Sequence, residues 1–200
     1  MMGHSMQLLN SQQAARAPER RDRELLERIK ARDREAMREF YLLCHRRLAR
    51  FLTRMTRRYD LVDEMINDTL VVVWQKAGDF RGDSRISTWI MAIAYRRGLR
   101  RLRAEYRVHK HIVLPATDDQ HLQDPITEQS EDADLLERAF ESLSPDHRAV
   151  LTLTYYLGHS CEEIAAIMEC PINTVKTRMF HARNKLRVLV PALSTPRGES

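Results

Sequence analysis

The chain has 200 residues, 43% apolar and 30% charged, with six Gly, seven Pro and a net charge of +5. That apolar content suffices for modest cores, and so few Gly and Pro favour long helices over a turn-rich all-β fold. No apolar run approaches the ~20 residues of a membrane span, and the N-terminus lacks an apolar core of signal-peptide length. The three cysteines, Cys44, Cys161 and Cys170, are widely spaced and form no CxxC pair. A disulfide framework is therefore excluded, and a reducing cytoplasm is the expected setting.

Residues 1–21 read as a disordered lead-in. From Asp22 the pattern turns helical, with Leu25, Leu26 and Ile29 as a first apolar stripe. Asp33 is placed to cap a second helix, in which Ala36, Phe40 and Leu43 share a face before a basic end from Arg46 to Arg58. Asp60 is expected to open a third helix lined by Val62, Ile66, Leu70 and Val73, with Gly78 as its stop. A loop from Asp79 to Ile86 follows, and Ser87 is the expected cap of a helix running from Trp89 to about Arg103. Residues 111–131 belong to a stretch without Lys or Arg that is rich in Asp and Glu, the composition of an extended acidic linker. The second helical module, residues 132–192, opens with the stripe Leu136, Ala139, Phe140 and Leu143. Ser144-Pro145 punctuates the next helix, which Gly158 ends. Ser160 and Glu163 form a capping box for a short helix. Pro171 breaks the chain before a last helix from Thr174 to Val190, and residues 193–200 read as a tail. The fold class is all-α, two small domains on either side of the linker, 22–110 and 132–192.

Two constellations carry chemistry. "SCEEIAAIMECPINTVKTRMFHARNKLR" has helix-turn-helix spacing, with small Ala165 at the close approach and Val175 turned back to the core. Opposite the apolar stripe lie Lys176, Thr177, Phe180, His181, Arg183, Asn184 and Arg187. Lys and His can donate to guanine, Thr can touch a base or phosphate, and Phe can meet a thymine methyl. Arg183 and Arg187 suit phosphates. The plainer alternative is a helical pair with a solvated basic face. The second constellation is the basic helix end holding Arg96, Arg97, Arg100, Arg101, Arg103, Arg107 and Lys110 against the lone Glu105. A solvated end is the usual meaning of such a run. Its unrelieved charge also fits phosphates, and fits a membrane surface less well because Trp89, Ile90 and Ile93 are needed for the core. No HExxH pattern, Walker-type loop or catalytic arrangement is present, so no catalytic residue, metal or cofactor is expected.

Two long stretches then point to one family. "DEMINDTLVVVWQKAGDFRGDSRISTWIMAIAYRRGLRRLR" resembles the second conserved region of the extracytoplasmic-function sigma factors of the bacterial sigma-70 family. "FESLSPDHRAVLTLTYYLGHSCEEIAAIMECPINTVKTRMFHARNKLR" resembles their fourth region. The resemblance implies a non-enzymatic subunit that binds core RNA polymerase through its β and β′ subunits and directs initiation at promoter DNA. It places Lys176, Thr177, Phe180 and His181 on the duplex −35 element, where Arg183 and Arg187, from the chemistry above, would join them on its phosphates. It places the loop Phe80, Arg81, Gly82, Asp83, Ser84 and Arg85, with Arg96, Arg97 and Arg100, on the single-stranded −10 element. Glu64, Asn67 and Asp68 would meet the polymerase clamp helices. An anti-sigma factor is an implied partner, and direct membrane insertion is not. Departures accompany these assignments. His181 stands where Arg is common, Asn67-Asp68 where a longer Gln-Glu pair is common, and Arg96 and Arg100 where Asn and Asp are common. Val72 replaces a common polar residue and is expected to offer an extra apolar contact, for instance to an inhibitor protein. A stand-alone helix-turn-helix regulator with an N-terminal sensing domain is the competing reading, and an RNA-binding protein or enzyme using the basic helix as a clamp is a more distant third.

Overall fold

The computed structural model describes residues 19–111 and 138–189, with side chains for 19–107 and 138–189. The remainder of the acidic linker and both chain ends lie outside these residues. The lead-in expected through residue 21 is shorter, since helix α1 already covers 19–30. Its apolar stripe of Leu25, Leu26 and Ile29 is buried. Asp33 caps α2 (Arg34–Thr56): its Oδ1 accepts the N–H groups of Glu35 and Ala36 at 2.9 and 3.1 Å. The Ala36 N–H, helped by the Arg28 guanidinium, holds the Asp33 carboxyl below its ordinary range. α2 buries Ala36, Phe40, Leu48, Phe51, Leu52 and Met55, while Leu43 of the expected stripe is exposed. The helix ends on Arg57 in the left-handed region, whose N–H returns to the Thr53 carbonyl.

Asp60 does not open the next helix. It sits in a tight turn, Tyr59–Leu61, where Arg58 grips both its oxygens at 3.0 and 2.8 Å and also reaches Glu105. α3 (Val62–Lys76) starts after it, and its C-terminal carbonyl at Trp74 accepts Arg32 Nη1 at 2.7 Å. Gly78 lies within a further turn, Ala77–Asp79, instead of marking the helix end. α4 (Ile86–His111) starts one residue before Ser87, which falls inside its first turn, and runs well past Arg103. An Arg-rich segment continues a helix readily because long straight side chains lose little freedom there. Gly98 sits where α4 crosses α2: a Cβ there would lie 2.2 Å from Met55 Cε and 3.2 Å from Leu52 Cδ2. Close helix packing is what this glycine supplies.

In the second module helix α5, seen at 138–141 among the described residues, leads to α6 (Pro145–Leu151), capped by Ser144; Leu136 of the expected stripe lies outside the described residues. α6 widens into one turn of π-helix, Thr152–Tyr156. α7 (Cys161–Met168) carries both bonds of the expected capping box, Glu163 N–H to Ser160 Oγ at 3.2 Å and Ser160 N–H to Glu163 Oε2 at 2.9 Å. α8 (Ile172–Leu189) buries Val175, Met179 and Ala182 against the rest of the module. All described regular structure is helical.

The two modules do not stand apart. α7 packs on α4, and α6 packs on α2. Buried residues of both modules form one continuous apolar cluster, from Phe40 and Phe51 through Met91 to Leu153, Ile164 and Ile167. Burial of this kind stabilises by about 25 cal/mol per Å² of apolar surface, so the contact is more than a chance touch of charged surfaces.

Candidate nucleic-acid and polymerase interfaces

The loop between α3 and α4 presents Arg81, Gly82, Asp83 and Arg85 to solvent, with Phe80 half-buried. Gly82 has φ of +84°, a conformation that lets the chain double back tightly with no Cβ to clash. Phe80 packs at a tilt on Trp89, ring centroids 5.3 Å apart, and so anchors the loop on α4. Trp89 is half-buried, while Ile90 and Ile93 are core residues. Behind the loop, Lys76, Asp79, Trp89, Arg96, Arg97 and Arg100 line an open cavity of about 420 Å³ floored by Val72 and Ile93. Three arginines and a lysine against one carboxylate make this recess strongly electropositive. Val72 is 8% exposed and packs mainly inward, so the extra apolar contact expected of it is limited to the floor of this recess.

On α8, Lys176, Thr177, Phe180, His181, Arg183 and Arg187 are all exposed on the side opposite Val175, Met179 and Ala182. Phe180 and His181 stand edge to face at 5.6 Å. Thr177 Oγ1 donates to its own helix at Asn173 O, and Arg183 reaches Tyr155 Oη at 3.5 Å. The turn before α8 contains no glycine, so Glu169 takes the left-handed position at φ +50° and Cys170 N–H closes onto Ala165 O at 3.1 Å.

The outer face of α3 separates the three residues assigned to the polymerase. Asn67 borders an apolar groove with Met37, Tyr41, Leu70, Val71 and Trp74, and Val71 is 52% exposed. Asp68 is exposed beside it. Glu64 points elsewhere, into a 2.9 Å ion pair with Arg101 of α4.

Paired side chains join the two modules, several of them at positions that neither the spacing nor the motifs single out. Tyr95 Oη donates to Asp146 Oδ1 at 2.8 Å, and Arg178 holds the other oxygen at 2.8 Å. Burial first, then the Asp146 bond and its charge, push the Tyr95 hydroxyl pKa upward. Arg148 is buried and donates through Nε to Met55 O at 2.9 Å and through Nη1 to Leu143 O at 2.7 Å and Glu141 O at 3.1 Å. Burial, with Arg57 nearby, brings its pKa down to about 10. Arg54 stacks on Tyr156 at 3.8 Å, and Arg57 pairs with Glu141. Glu163 lies close to Arg85 and Thr88, and Glu169 pairs with Arg96. Glu163, Arg85 and Arg96 stood out in the sequence, though for capping and for charge and not for these pairings.

Residues 40–108 match the family described as Sigma-70 region 2, and residues 133–186 match Sigma-70, region 4. Over 184 residues the chain is 30% identical to an ECF RNA polymerase sigma-E factor of Haemophilus influenzae, covering 84% of this chain and 97% of that one. The chain belongs to the extracytoplasmic-function sigma factors of the sigma-70 family. This sigma factor is 28% identical to the sigma-E factor of Escherichia coli K12, with 84% and 96% of the two chains covered. Its fold is similar to that of the Bartonella quintana sigma factor RpoE, solved in complex with the anti-sigma factor NepR, at a TM-score of 0.65 and 26% identity. That match covers 77% of this chain and 96% of the other. A second fold match is CnrH in complex with the cytosolic domain of CnrY, at a TM-score of 0.61 and 24% identity, covering 86% and 98%. The family decides against the stand-alone regulator and against an enzyme: sigma factors are initiation factors of RNA polymerase. Among the described residues, no helix is long and apolar enough to cross a membrane.

Proposed function

We propose that this sigma factor reads a promoter with two surfaces and meets polymerase with a third. The exposed face of α8 reads the duplex −35 element: Lys176, Thr177, Phe180 and His181 meet base edges, and Arg183 and Arg187 meet phosphates. A buried stripe directly opposite a row of exposed donors supports this, since a recognition helix must be held from one side and read from the other. The loop 80–85 and the electropositive recess behind it take the unstacked −10 strand, with Arg97 and Arg100 on its backbone. The groove beside Asn67 and Asp68 docks the β′ clamp, where the apolar rim of Tyr41, Val71 and Trp74 supplies burial and Asn67 supplies a hydrogen bond. Glu64 then acts indirectly, by fixing Arg101. The observation that carries the reading is the outward row on α8, because it survives as a continuous exposed surface even though the modules are packed together. The Bartonella quintana relative was solved with an anti-sigma factor and CnrH with the cytosolic domain of CnrY, and an anti-sigma partner in the cytoplasm is part of the proposal.

Transcription reconstituted with core polymerase is the test. Run-off mapping should yield start sites sharing a −10 and a −35 motif. Absence of initiation at every genomic promoter would sink the proposal. Lys176→Ala should weaken initiation at all promoters of the set, and His181→Ala should relax preference at one −35 base pair by about 1–3 kcal/mol.

A further inference from the structure

We infer that the free sigma factor is held closed by its own carboxylates, with Glu163 and Glu169 of the second module standing where promoter phosphates would bind on the first. This rests on the −10 assignment of the loop and α4 made above, and adds a regulatory state of that same site.

Four observations converge. Arg96, on the rim of the electropositive recess, is paired with Glu169 in the turn of the helix-turn-helix. Arg85, the last residue of the loop, has Nη1 at 3.6 Å from Glu163 Oε1, and the Thr88 hydroxyl lies 3.4 Å from the same oxygen. Arg85 also pairs with Glu19 of α1 at 2.7 Å, so it is held by carboxylates on two sides. The third observation is conformational. Glu169 holds φ at +50°, where a non-glycine residue carries strain that Gly would not. A turn optimised only for stability would use Gly; a carboxylate at that position gives Arg96 a partner. The fourth is packing: α7 lies directly on α4, so the two glutamates arrive on a fixed apolar platform and not on a mobile arm.

A carboxylate and a phosphate oxygen are equivalent acceptors for a guanidinium. Single-stranded DNA entering along α4 must therefore displace Glu163 and Glu169, and binding and module opening become one linked equilibrium. Arg97 and Arg100, which line the recess away from these pairs, make the first contact. The device also assigns a use to the arginine at 96.

The test is fluorescence anisotropy of the full-length protein with a fluorescein-labelled, mixed-sequence single-stranded DNA. Phosphate competition requires no particular sequence. Glu169→Gln keeps the side-chain length and removes the charge; Glu163→Gln also keeps the capping box. An exposed ion pair of this kind is worth ~0.2–1 kcal/mol, so Glu169→Gln should tighten binding about 1.4- to five-fold and the double variant further. Glu35→Gln, an exposed change on α2, controls for net charge. In an Arg96→Gln background the gain from Glu169→Gln should fall to the level of that control. The inference is overturned if Glu169→Gln binds no tighter than Glu35→Gln, or if its gain persists without Arg96. A protein that initiates transcription normally but shows no Arg96-dependent gain refutes the closed state alone. One that shows the gain but initiates nowhere refutes the promoter reading alone.

Discussion

Replacing Arg148 with methionine tests whether a buried cation truly ties the two modules together. Its guanidinium satisfies three carbonyls: Met55 at the C-terminal end of α2, and Leu143 and Glu141 ahead of α6. Met55 and Leu143 are buried, whereas Glu141 is exposed and its carbonyl can turn to water. Two orphaned acceptors at ~1–3 kcal/mol each set a gross loss of ~2–6 kcal/mol. Against this, methionine removes the burial penalty of the charge and its repulsion from Arg57, the two causes that lower its pKa. A net loss of roughly 2 kcal/mol remains, which for a domain of this size lowers the melting temperature by about 4–8 °C. Thermal unfolding followed by circular dichroism measures it. Arg148→Lys should fall between, since an ammonium cannot reproduce the fork that spans both modules. A methionine variant that melts with or above the parent would refute the reasoning. It would mean that desolvation outweighs the three bonds and that packing alone joins the modules.

Thr152 is fully buried and its hydroxyl has no partner among the described residues, so Thr152→Val should raise the melting temperature, by about 1 kcal/mol of stability. A lowered melting point would show that the hydroxyl has a bound partner. His159 has its pKa lowered by burial first, despite Glu163 close by, and His147 is lowered likewise. The unfolded chain therefore takes up more protons below the ordinary value of 6.5, and stability must fall as pH drops through the window beneath it. His159→Gln should flatten that slope in a series of melts. Burial pushes the Cys44 thiol up to about 12, so at neutral pH it should be alkylated more slowly than a free thiol, as mass spectrometry of timed iodoacetamide reactions can read. Val71→Asp, in the rim of the α3 groove, should weaken capture of core polymerase at least tenfold while leaving the melt unchanged, a result a purely structural rim would not give.

Most helix boundaries were legible because they are written in adjacent residues. Asp33, Ser144 with Pro145, and Ser160 with Glu163 act on amides two or three positions away, and each cap formed as the spacing implied. At two of the boundaries that moved, side-chain ion pairs accompany the shift. Arg58 drew Asp60 into a turn, and α4 ran on to His111 while Arg101 found Glu64 and Arg58 found Glu105. The outward row on α8 was equally legible, since a 3.6-residue period separates the buried from the reading face. Val72 was not: it is buried beside exposed Val71, a difference that periodicity alone does not mark.

The sequence by itself determined an all-helical chain of two modules, the row of donors on its last helix and the family to which it belongs. These follow from periodicity and capping, which are local. Only the tertiary structure decided that the modules share a core, that Arg148 bridges them, and that Arg96 faces Glu169, 73 positions away. Pairing between distant charges leaves no periodic trace, because each residue alone is indistinguishable from one that faces water.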